Sequence, residues 1–297
     1  MTPRRRRIRP QLTTLALAWA LCAPLSVRAQ QPPAGQGAAT QGAAGQGSLY
    51  QRYAPIDLSG TWVSVVTEDW AVRMLTPPKG EFDNLPLTKA AQDAAARADM
   101  AQVAASGRAC DAYGAPVIMR EPGRIRMSWQ DGNTLRVDTD AGEQTRLLHF
   151  GGAEPAGAPS RQGYSAAEWQ YANGFDPLRA GSAAAPGAAG GGRGAAGGRG
   201  GAGGRGAAAS APSGGRLKVV TTHLAAGFLR KNGVPYSANT TVTEYYNQLT
   251  EPDGTRWFVV TTVVHDPENL VVDFITSTNF RREPDNSKWR PSPCSVR

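Results

Sequence analysis

Three histidines are the residues of this sequence best suited to metal or proton chemistry. His149, His223 and His265 each stand at the C-terminal end of a predicted strand. Neutral imidazole groups that converge at one mouth of a barrel can hold zinc, iron or copper and leave a coordination position for substrate. Neighbouring strands of a meander run in opposite directions, however, and no short spacing of the His-x-x-x-His kind links the three. They are candidate metal ligands, with three unrelated polar residues as the alternative.

Other polar side chains at predicted strand ends and turns extend the set of candidates, because barrels commonly hold ligand groups at such positions. Glu68 and Glu244 can act as an acid and a base beside His149 or His223. The predicted polar contacts to a ligand are Arg73, His149, His223 and Tyr245.

No motif of high specificity accompanies these residues. The sequence has no serine nucleophile elbow, phosphate-binding loop, dinucleotide fingerprint, paired-cysteine metal site or His-Glu-x-x-His segment. Arg230 and Lys231 directly precede Asn232 and Gly233, a strong hairpin signal, which favours a solvated turn for this basic pair over a ligand site. The sequence therefore leaves open whether the protein is an enzyme, and the cofactor and the oligomeric state stay unknown.

Alternation of polar and apolar residues predicts that β-strands position the candidates. The period of two across residues 124–150, interrupted by turn residues, predicts a three-stranded meander. Further strands are predicted at 56–66, 217–224, 240–249, 256–265 and 270–280. One alanine-rich helix is predicted between Thr88, as N-cap, and Ser106. The expected fold is mainly β, an antiparallel closed barrel of about 8–10 strands with one flanking helix, because closure removes exposed strand edges.

Composition divides the chain into four parts. Residues 1–29 carry an arginine-rich start, an apolar run and a small-residue end, the pattern of a secretory signal peptide. Residues 30–54 are predicted to be a flexible tether, because they cannot bury a core. Residues 55–179 and 216–297 are predicted to form a single barrel domain, and the Gly/Ala/Arg-rich residues 180–215 a disordered loop within it. We therefore expect a periplasmic or secreted protein with no transmembrane segment in the mature chain.

The basic character of the chain does not point to a nucleic-acid partner. The formal net charge is +8, but six arginines without acids lie in residues 1–29 and three more in 180–215, which leaves a net charge of −1 on the remaining sequence. Repeats of the Arg-Gly type can bind RNA, although an exported protein seldom meets it. We expect no nucleic-acid partner.

Two cysteines remain once the leader is removed. Cys110 follows the predicted helix and Cys294 stands near the C-terminus. Cysteines of exported proteins commonly pair in the oxidising compartment, so a disulfide is predicted, with two free thiols as the alternative. Neither cysteine has the spacing of a zinc site or a redox pair.

The segment Asp57–Trp62, with Gly60-Thr61-Trp62, resembles the Gly-x-Trp start of the lipocalin and wider calycin barrels. That resemblance implies a barrel in which Trp62 plugs the closed end and a late arginine packs over it. Arg281 or Arg282, directly after the last predicted strand, stands at that position, and Arg281 is taken as the structural partner. Thr243–Tyr245 is similar to the family's Thr-Asp-Tyr segment. The early helix and the longer chain depart from the family pattern.

The mature sequence also resembles a set of exported bacterial proteins without an assigned function, which implies export. The segments that carry this resemblance are Val65–Trp70, Thr76–Gly80 and Leu229–Tyr236. The first functional hypothesis is an exported barrel that binds a small, largely apolar molecule between strands of the two sheet halves. One alternative is an isomerase, lyase or metal-assisted hydrolase that uses His149 and His223. Another is an interaction module of the envelope, with residues 180–215 as contact or spacer.

Overall fold

A closed β-barrel forms the body of the protein. The computed structural model describes residues 49–152, 157–172, 174, 176–177 and 214–296. The strands in chain order are β1 (Gly60–Val65), β2 (Arg124–Asp131), β3 (Thr134–Thr139), β4 (Thr145–Phe150), β5 (Tyr164–Tyr171), β6 (Gly215–Thr222), β7 (Gly227–Phe228), β8 (Pro235–Tyr236), β9 (Thr241–Thr250), β10 (Arg256–His265) and β11 (Phe274–Arg282). The barrel contains all of them except β7 and β8, which form a separate two-stranded ladder.

The strand order around the barrel is β1-β11-β10-β9-β6-β5-β4-β3-β2, after which β2 pairs again with β1. The mainly β fold and the closure of the barrel are confirmed, and so is the meander of β2, β3 and β4. The expectation of a wholly antiparallel sheet is wrong at one place, because β4 and β5 pair in parallel, with Leu148 opposite Ser165. The connection from Phe150 to Tyr164 therefore has to return the chain to the end at which β4 begins.

Large side chains fill the barrel interior. Along β10 the inward positions alternate with half-exposed ones, as the period of two requires. Trp62 and Phe258 meet edge to face with ring centroids 4.9 Å apart, and Phe258 stacks on Phe280 at 4.7 Å. Tyr246 is completely buried beside them. This region is a packed core, as small barrels commonly have, and it leaves the expected ligand position between the sheet halves without support.

The Gly-x-Trp segment places its tryptophan at the end of the barrel where β1 begins. Trp62 is 0% exposed, and its indole N–H donates to the carbonyl of Leu58 at 2.8 Å. The guanidinium carbon of Arg282 lies 5.1 Å from the Trp62 ring centroid, whereas that of Arg281 lies over Trp257 at 6.0 Å. The arginine over Trp62 is therefore Arg282 and not Arg281, because the alternation along β11 turns Arg281 to the outside.

All the helices except the first surround the other end of the barrel. The helices are α1 (Leu49–Arg52), α2 (Trp70–Met74), α3 (Lys89–Arg97), α4 (Met100–Ala105) and α5 (Ala115–Ile118), with a 3-10 helix at Ala109–Ala112. The first helix, α1, lies at the end where β1 begins, next to Phe150 and Trp169. Thr88 caps α3 as predicted, accepting from the amide of Ala91 at 3.2 Å. The single predicted helix is nevertheless two, because Ala98 leaves the helical conformation and the Asp99 carboxylate caps α4 through the amide of Gln102.

A second core joins these elements to the barrel end at which β10 ends and β11 begins, which we call the capped end. Buried residues from α3, α5 and the β7–β8 hairpin pack there against Val242, Val264 and Phe274 of the barrel. A disulfide between Cys110 and Cys294, with Cα atoms 5.0 Å apart, ties the 3-10 helix to the C-terminal tail. The predicted disulfide is confirmed.

Several predicted segments lie wholly or mostly outside the described residues. The signal peptide at 1–29, most of the tether at 30–54 and most of the loop at 180–215 stay predictions. Residues 49–52 of that tether form α1, and Tyr50 packs on Phe150 with ring centroids 5.3 Å apart. None of the helices in the described residues has the length and apolar character that crossing a membrane would require.

Candidate functional site

The three predicted histidines lie on the outer face of the molecule and do not converge. His149 stacks on Tyr164 at 5.1 Å, and the exposed His265 lies 2.7 Å from the carboxylate of Asp273. Three strands, β9, β6 and β5, separate the strands that carry these two histidines. His223 follows β6 with a φ of 55°, and its Nδ1 contacts the hydroxyl of the preceding threonine. Across the described part of the chain, no three His, Cys, Asp or Glu side chains are grouped as a metal site would require.

Glu244, a predicted acid or base, is already paired. It points into the barrel from β9, and its carboxylate accepts two hydrogen bonds from Arg146 of β4, at 3.1 and 2.7 Å. Both side chains are almost completely buried, at 0% and 1% exposed. Burial alone would lower the pKa of Arg146, but attraction to Glu244 outweighs it and raises the pKa above the ordinary arginine value. This ion pair belongs to the core of the barrel.

The other predicted contacts lie apart from one another. Tyr245 points outward from β9, and the guanidinium of Arg216 covers its ring at 4.5 Å. Glu68 accepts from the amide of Ser277 at 2.8 Å, which fastens the start of the α2 segment to β11. Of the four predicted ligand contacts, only Arg73 lines the cavity described next.

A cavity of 170 Å³ opens at the capped end. Its wall consists of residues 72–77, of Val117, Arg120 and Glu121, of residues 229–231 and of Phe274. We call it the capped-end cavity. Its wall combines apolar side chains with four cations, contributed by three segments that are far apart in the sequence. Convergence of a few polar groups on an apolar hollow is typical of small-molecule sites.

Two turns place the cationic side chains. Asp69, at a φ of 49°, turns the chain into α2, from which Arg73 reaches the cavity. The hairpin at Asn232 and Gly233 brings Arg230 to the opposite wall. Gly233 has a φ of 96°, and a Cβ there would lie 2.6 Å from that of Ala98, so both conformation and space require glycine. The side-chain amide of Asn232 also donates to the carbonyls of residues 78 and 81.

Two of the four cations have carboxylate partners. Arg120 pairs with Asp69 at 3.0 Å and, more loosely, with Glu68 at 3.5 Å. Lys231 pairs with Glu121 at 2.6 Å. These pairs hold α2 and the β7–β8 hairpin against the segment between α5 and β2. The two ion pairs therefore fix the relative positions of the segments that form the cavity wall.

The other two cations lack such partners. Arg73 donates from Nε to the carbonyl of Arg120 at 3.0 Å, while its two terminal nitrogens are covered and have no acceptor among the described residues. Arg230 donates from one terminal nitrogen to the carbonyl of Asp83 at 2.7 Å, and within the same described residues its Nη1 has no acceptor. Burial and the nearby charge of Arg120 lower the pKa of Arg73 to about 10 and also lower that of Arg230.

Arg73 remains a cation at neutral pH, since its lowered pKa still lies well above 7. Arg230 is counted as a cation because arginine side chains keep their charge in folded proteins. Buried donors without acceptors are uncommon in folded proteins and are costly unless a partner binds. The cavity is therefore chemically suited to an anionic group. Of the residues predicted to supply an acid and a base, Glu68 lies beside the cavity through its contact with Arg120, whereas Glu244, His149 and His223 lie elsewhere.

Comparison of the chain with protein-family models, curated proteins and solved structures gives no match. The closed barrel is compatible with the Gly-x-Trp resemblance, and function has to be argued from the capped-end cavity. Sequence reasoning missed three of the four cations of the cavity. Arg230 and Lys231 were interpreted as part of a solvated turn. Arg120 was not considered, although it follows the buried apolar run of α5, a position where an arginine must find partners.

Proposed function

We propose that the protein is an exported binding protein of the cell envelope, and that its ligand is a small organic molecule held in the capped-end cavity. The observation that carries this proposal is the pair of terminal nitrogens of Arg73, which have no acceptor among the described residues, in a wall that combines cations with apolar side chains. Export is supported by the leader pattern of residues 1–29 and fits the disulfide. The Gly-x-Trp segment supports kinship with the lipocalin and calycin barrels.

In this proposal the barrel supports the binding site, and the ligand does not lie in the barrel interior. Its interior is packed, so the ligand lies at one end, where short helices and a hairpin cover the strands. The disulfide contributes directly, because Cys110 begins the segment that carries Val117, Arg120 and Glu121 of the cavity wall. Fastening this segment to the C-terminal tail keeps the cavity in place before a ligand arrives, which lowers the entropic cost of binding.

Export is tested by expressing the full chain with its own leader and measuring the mass of the protein in the periplasmic fraction. Cleavage after Ala29 gives a chain that begins at Gln30. An uncleaved chain that stays in the cytoplasm would contradict the export part of the proposal.

Binding is tested on the same purified protein by native mass spectrometry, followed by thermal unfolding against a panel of small organic molecules. A ligand present at about 100 times its Kd raises the melting temperature by on the order of 5 °C. The Arg73→Gln variant loses this shift. Arg97→Gln, an exposed arginine on α3 that does not line the cavity, keeps it. The proposal fails if neither an adduct nor a shift is found, or if Arg73→Gln retains the full shift.

A further inference from the structure

The charges around the capped-end cavity limit the charge of its ligand. The cations of its wall are Arg73, Arg120, Arg230 and Lys231, and the carboxylates in the wall or paired with it are Glu68, Asp69 and Glu121. This set has one positive charge in excess. Two further carboxylates, Glu81 and Asp83, act on Arg230 from outside the wall. A single negative charge on the ligand balances the excess of the wall and its paired carboxylates, whereas a second negative charge would meet uncompensated repulsion from Glu81 and Asp83.

The free donors limit the shape of the anionic group. Arg120 and Lys231 are occupied by carboxylates. Both terminal nitrogens of Arg73 lack an acceptor among the described residues, and together they form a planar fork that matches the two oxygens of a carboxylate. Because these nitrogens are covered, binding requires the Arg73 side chain to turn towards the cavity. Nη1 of Arg230, on the same cavity, is a third donor. The two oxygens of a planar carboxylate can accept one hydrogen bond from each terminal nitrogen of Arg73.

The volume and the walls limit the rest of the molecule. The cavity of 170 Å³ is comparable to the engineered cavity of about 150 Å³ that binds benzene, so it holds about one six-membered ring with a small substituent. Val117, Leu229 and Phe274 supply an apolar wall. At the mouth, Met74 and Leu75 are 57% and 68% exposed, and a bound apolar group would cover part of this surface.

We infer that the capped-end cavity binds a compact monocarboxylate of about the size of benzoate, its carboxylate held by the terminal nitrogens of Arg73 and by Nη1 of Arg230. This inference rests on the proposed function, since it names the class of ligand for the same cavity. It narrows the expectation of a small, largely apolar ligand to one with an apolar body and a charged head.

The test compares three probes of similar size by isothermal titration calorimetry on the mature, disulfide-bonded protein at pH 8. Benzoate carries one negative charge, phenyl phosphate carries about two and benzyl alcohol carries none. Benzoate is expected to bind at least about tenfold more tightly than either of the others. This comparison uses the wild-type protein alone, so it does not depend on the folding of any variant.

Two variants separate charge from geometry. Arg73→Lys keeps the charge but loses the fork and is expected to weaken benzoate binding by about tenfold, whereas Arg73→Gln loses both and is expected to weaken it by about a hundredfold. Arg230→Gln weakens it by a smaller factor, because one donor is lost. Arg97→Gln is the matched control and leaves the affinity unchanged.

The outcomes distinguish the two levels of the proposal. If benzyl alcohol or phenyl phosphate binds as tightly as benzoate or more tightly, and Arg73→Gln abolishes that binding, the cavity is a ligand site but the carboxylate inference is overturned. Equal affinity of Arg73→Lys and wild-type protein for benzoate would remove the fork from the inference. If none of the probes binds and the purified protein carries no adduct, the proposed function fails together with the inference.

Discussion

Replacing Glu244 by glutamine tests whether the interior of the barrel is as dry as its packing indicates. The side chain of Glu244 is 0% exposed and its nearest contact to Arg146 is 2.7 Å. The hydroxyls of Ser165 and Thr221 lie 3.4 and 3.3 Å from the same guanidinium nitrogen. Glutamine has the same shape and still accepts a hydrogen bond, but it leaves the charge of Arg146 without a counter-charge.

The expected cost follows from the geometry. At 2.7 Å and an effective dielectric constant of about 20, the attraction between the two charges is about 6 kcal/mol. Part of this is regained because the carboxylate no longer has to be desolvated and the amide keeps one hydrogen bond. Breaking one side of a buried ion pair costs about 3–5 kcal/mol in other proteins. We expect Glu244→Gln to lower the free energy of unfolding by that amount.

Urea denaturation followed by tryptophan fluorescence measures this loss, since Trp62 lies in the same core. The double variant Arg146→Met/Glu244→Leu removes both charges and is expected to unfold within about 2 kcal/mol of the wild-type protein, because an apolar pair of similar volume can replace a buried ion pair. The reasoning is refuted if Glu244→Gln costs less than about 1 kcal/mol, or if the effects of the two sites simply add in the double variant.

Three further predictions concern the elements around the site. Replacing Cys110 and Cys294 together by serine is expected to lower the free energy of unfolding by up to about 5 kcal/mol, given a sequence separation of 184 residues, and an unchanged urea midpoint would contradict this. Burial would raise the pKa of Asp266, but hydrogen bonds from Asn269 and Ser237 outweigh it and lower the pKa. The carboxylate therefore stabilises the fold above the unfolded pKa of about 3.9, and this contribution is lost as the pH falls through the lower, folded pKa. Stability curves should accordingly lose part of their acid dependence in Asp266→Asn, and identical curves would argue against this. Gly233→Ala is expected to destabilise by more than about 1 kcal/mol in the same denaturation assay, because of its positive φ and its contact with Ala98, and a neutral effect would show that the hairpin can shift.

Much of the barrel could be predicted from the sequence, because local patterns determine it. The alternation along β2 and β3 fixes strand type and facing, and the Gly-x-Trp resemblance implied the buried position of Trp62 at a barrel end. Two errors arose from single local choices that the pattern does not resolve. Asp99 ends one helix and starts another by capping, and the parallel pairing of β4 with β5 depends on the path of their connection.

The candidate site was predicted poorly, because no local pattern determines it. Arg73, Arg120 and Arg230 come from three segments, and only the assembled capped end brings them to one cavity. The hairpin at Asn232 was correctly expected to turn, but its amide hydrogen bonds to residues 78 and 81 half-bury a region that the sequence indicates as solvated. The second difficulty was to predict which face of a strand each side chain occupies. Neighbouring residues of a strand point to opposite faces, so Glu244 points into the barrel and Tyr245 points outward.

Arg146 and Arg73 differ in the partners of their buried guanidinium groups and in the direction in which their pKa values shift. In the barrel core Arg146 has a carboxylate with two oxygens on it, and its pKa is raised. In the capped-end cavity Arg73 has one carbonyl and another cation beside it, and its pKa is lowered. Evolution of a stable fold alone would favour the first arrangement, since an unsatisfied buried cation destabilises the folded state. A carboxylate bound to Arg73 would provide what Glu244 provides to Arg146, and it would raise the pKa of Arg73 towards its ordinary value. Under the proposed function, the missing partners of Arg73 are the ones that a bound carboxylate supplies.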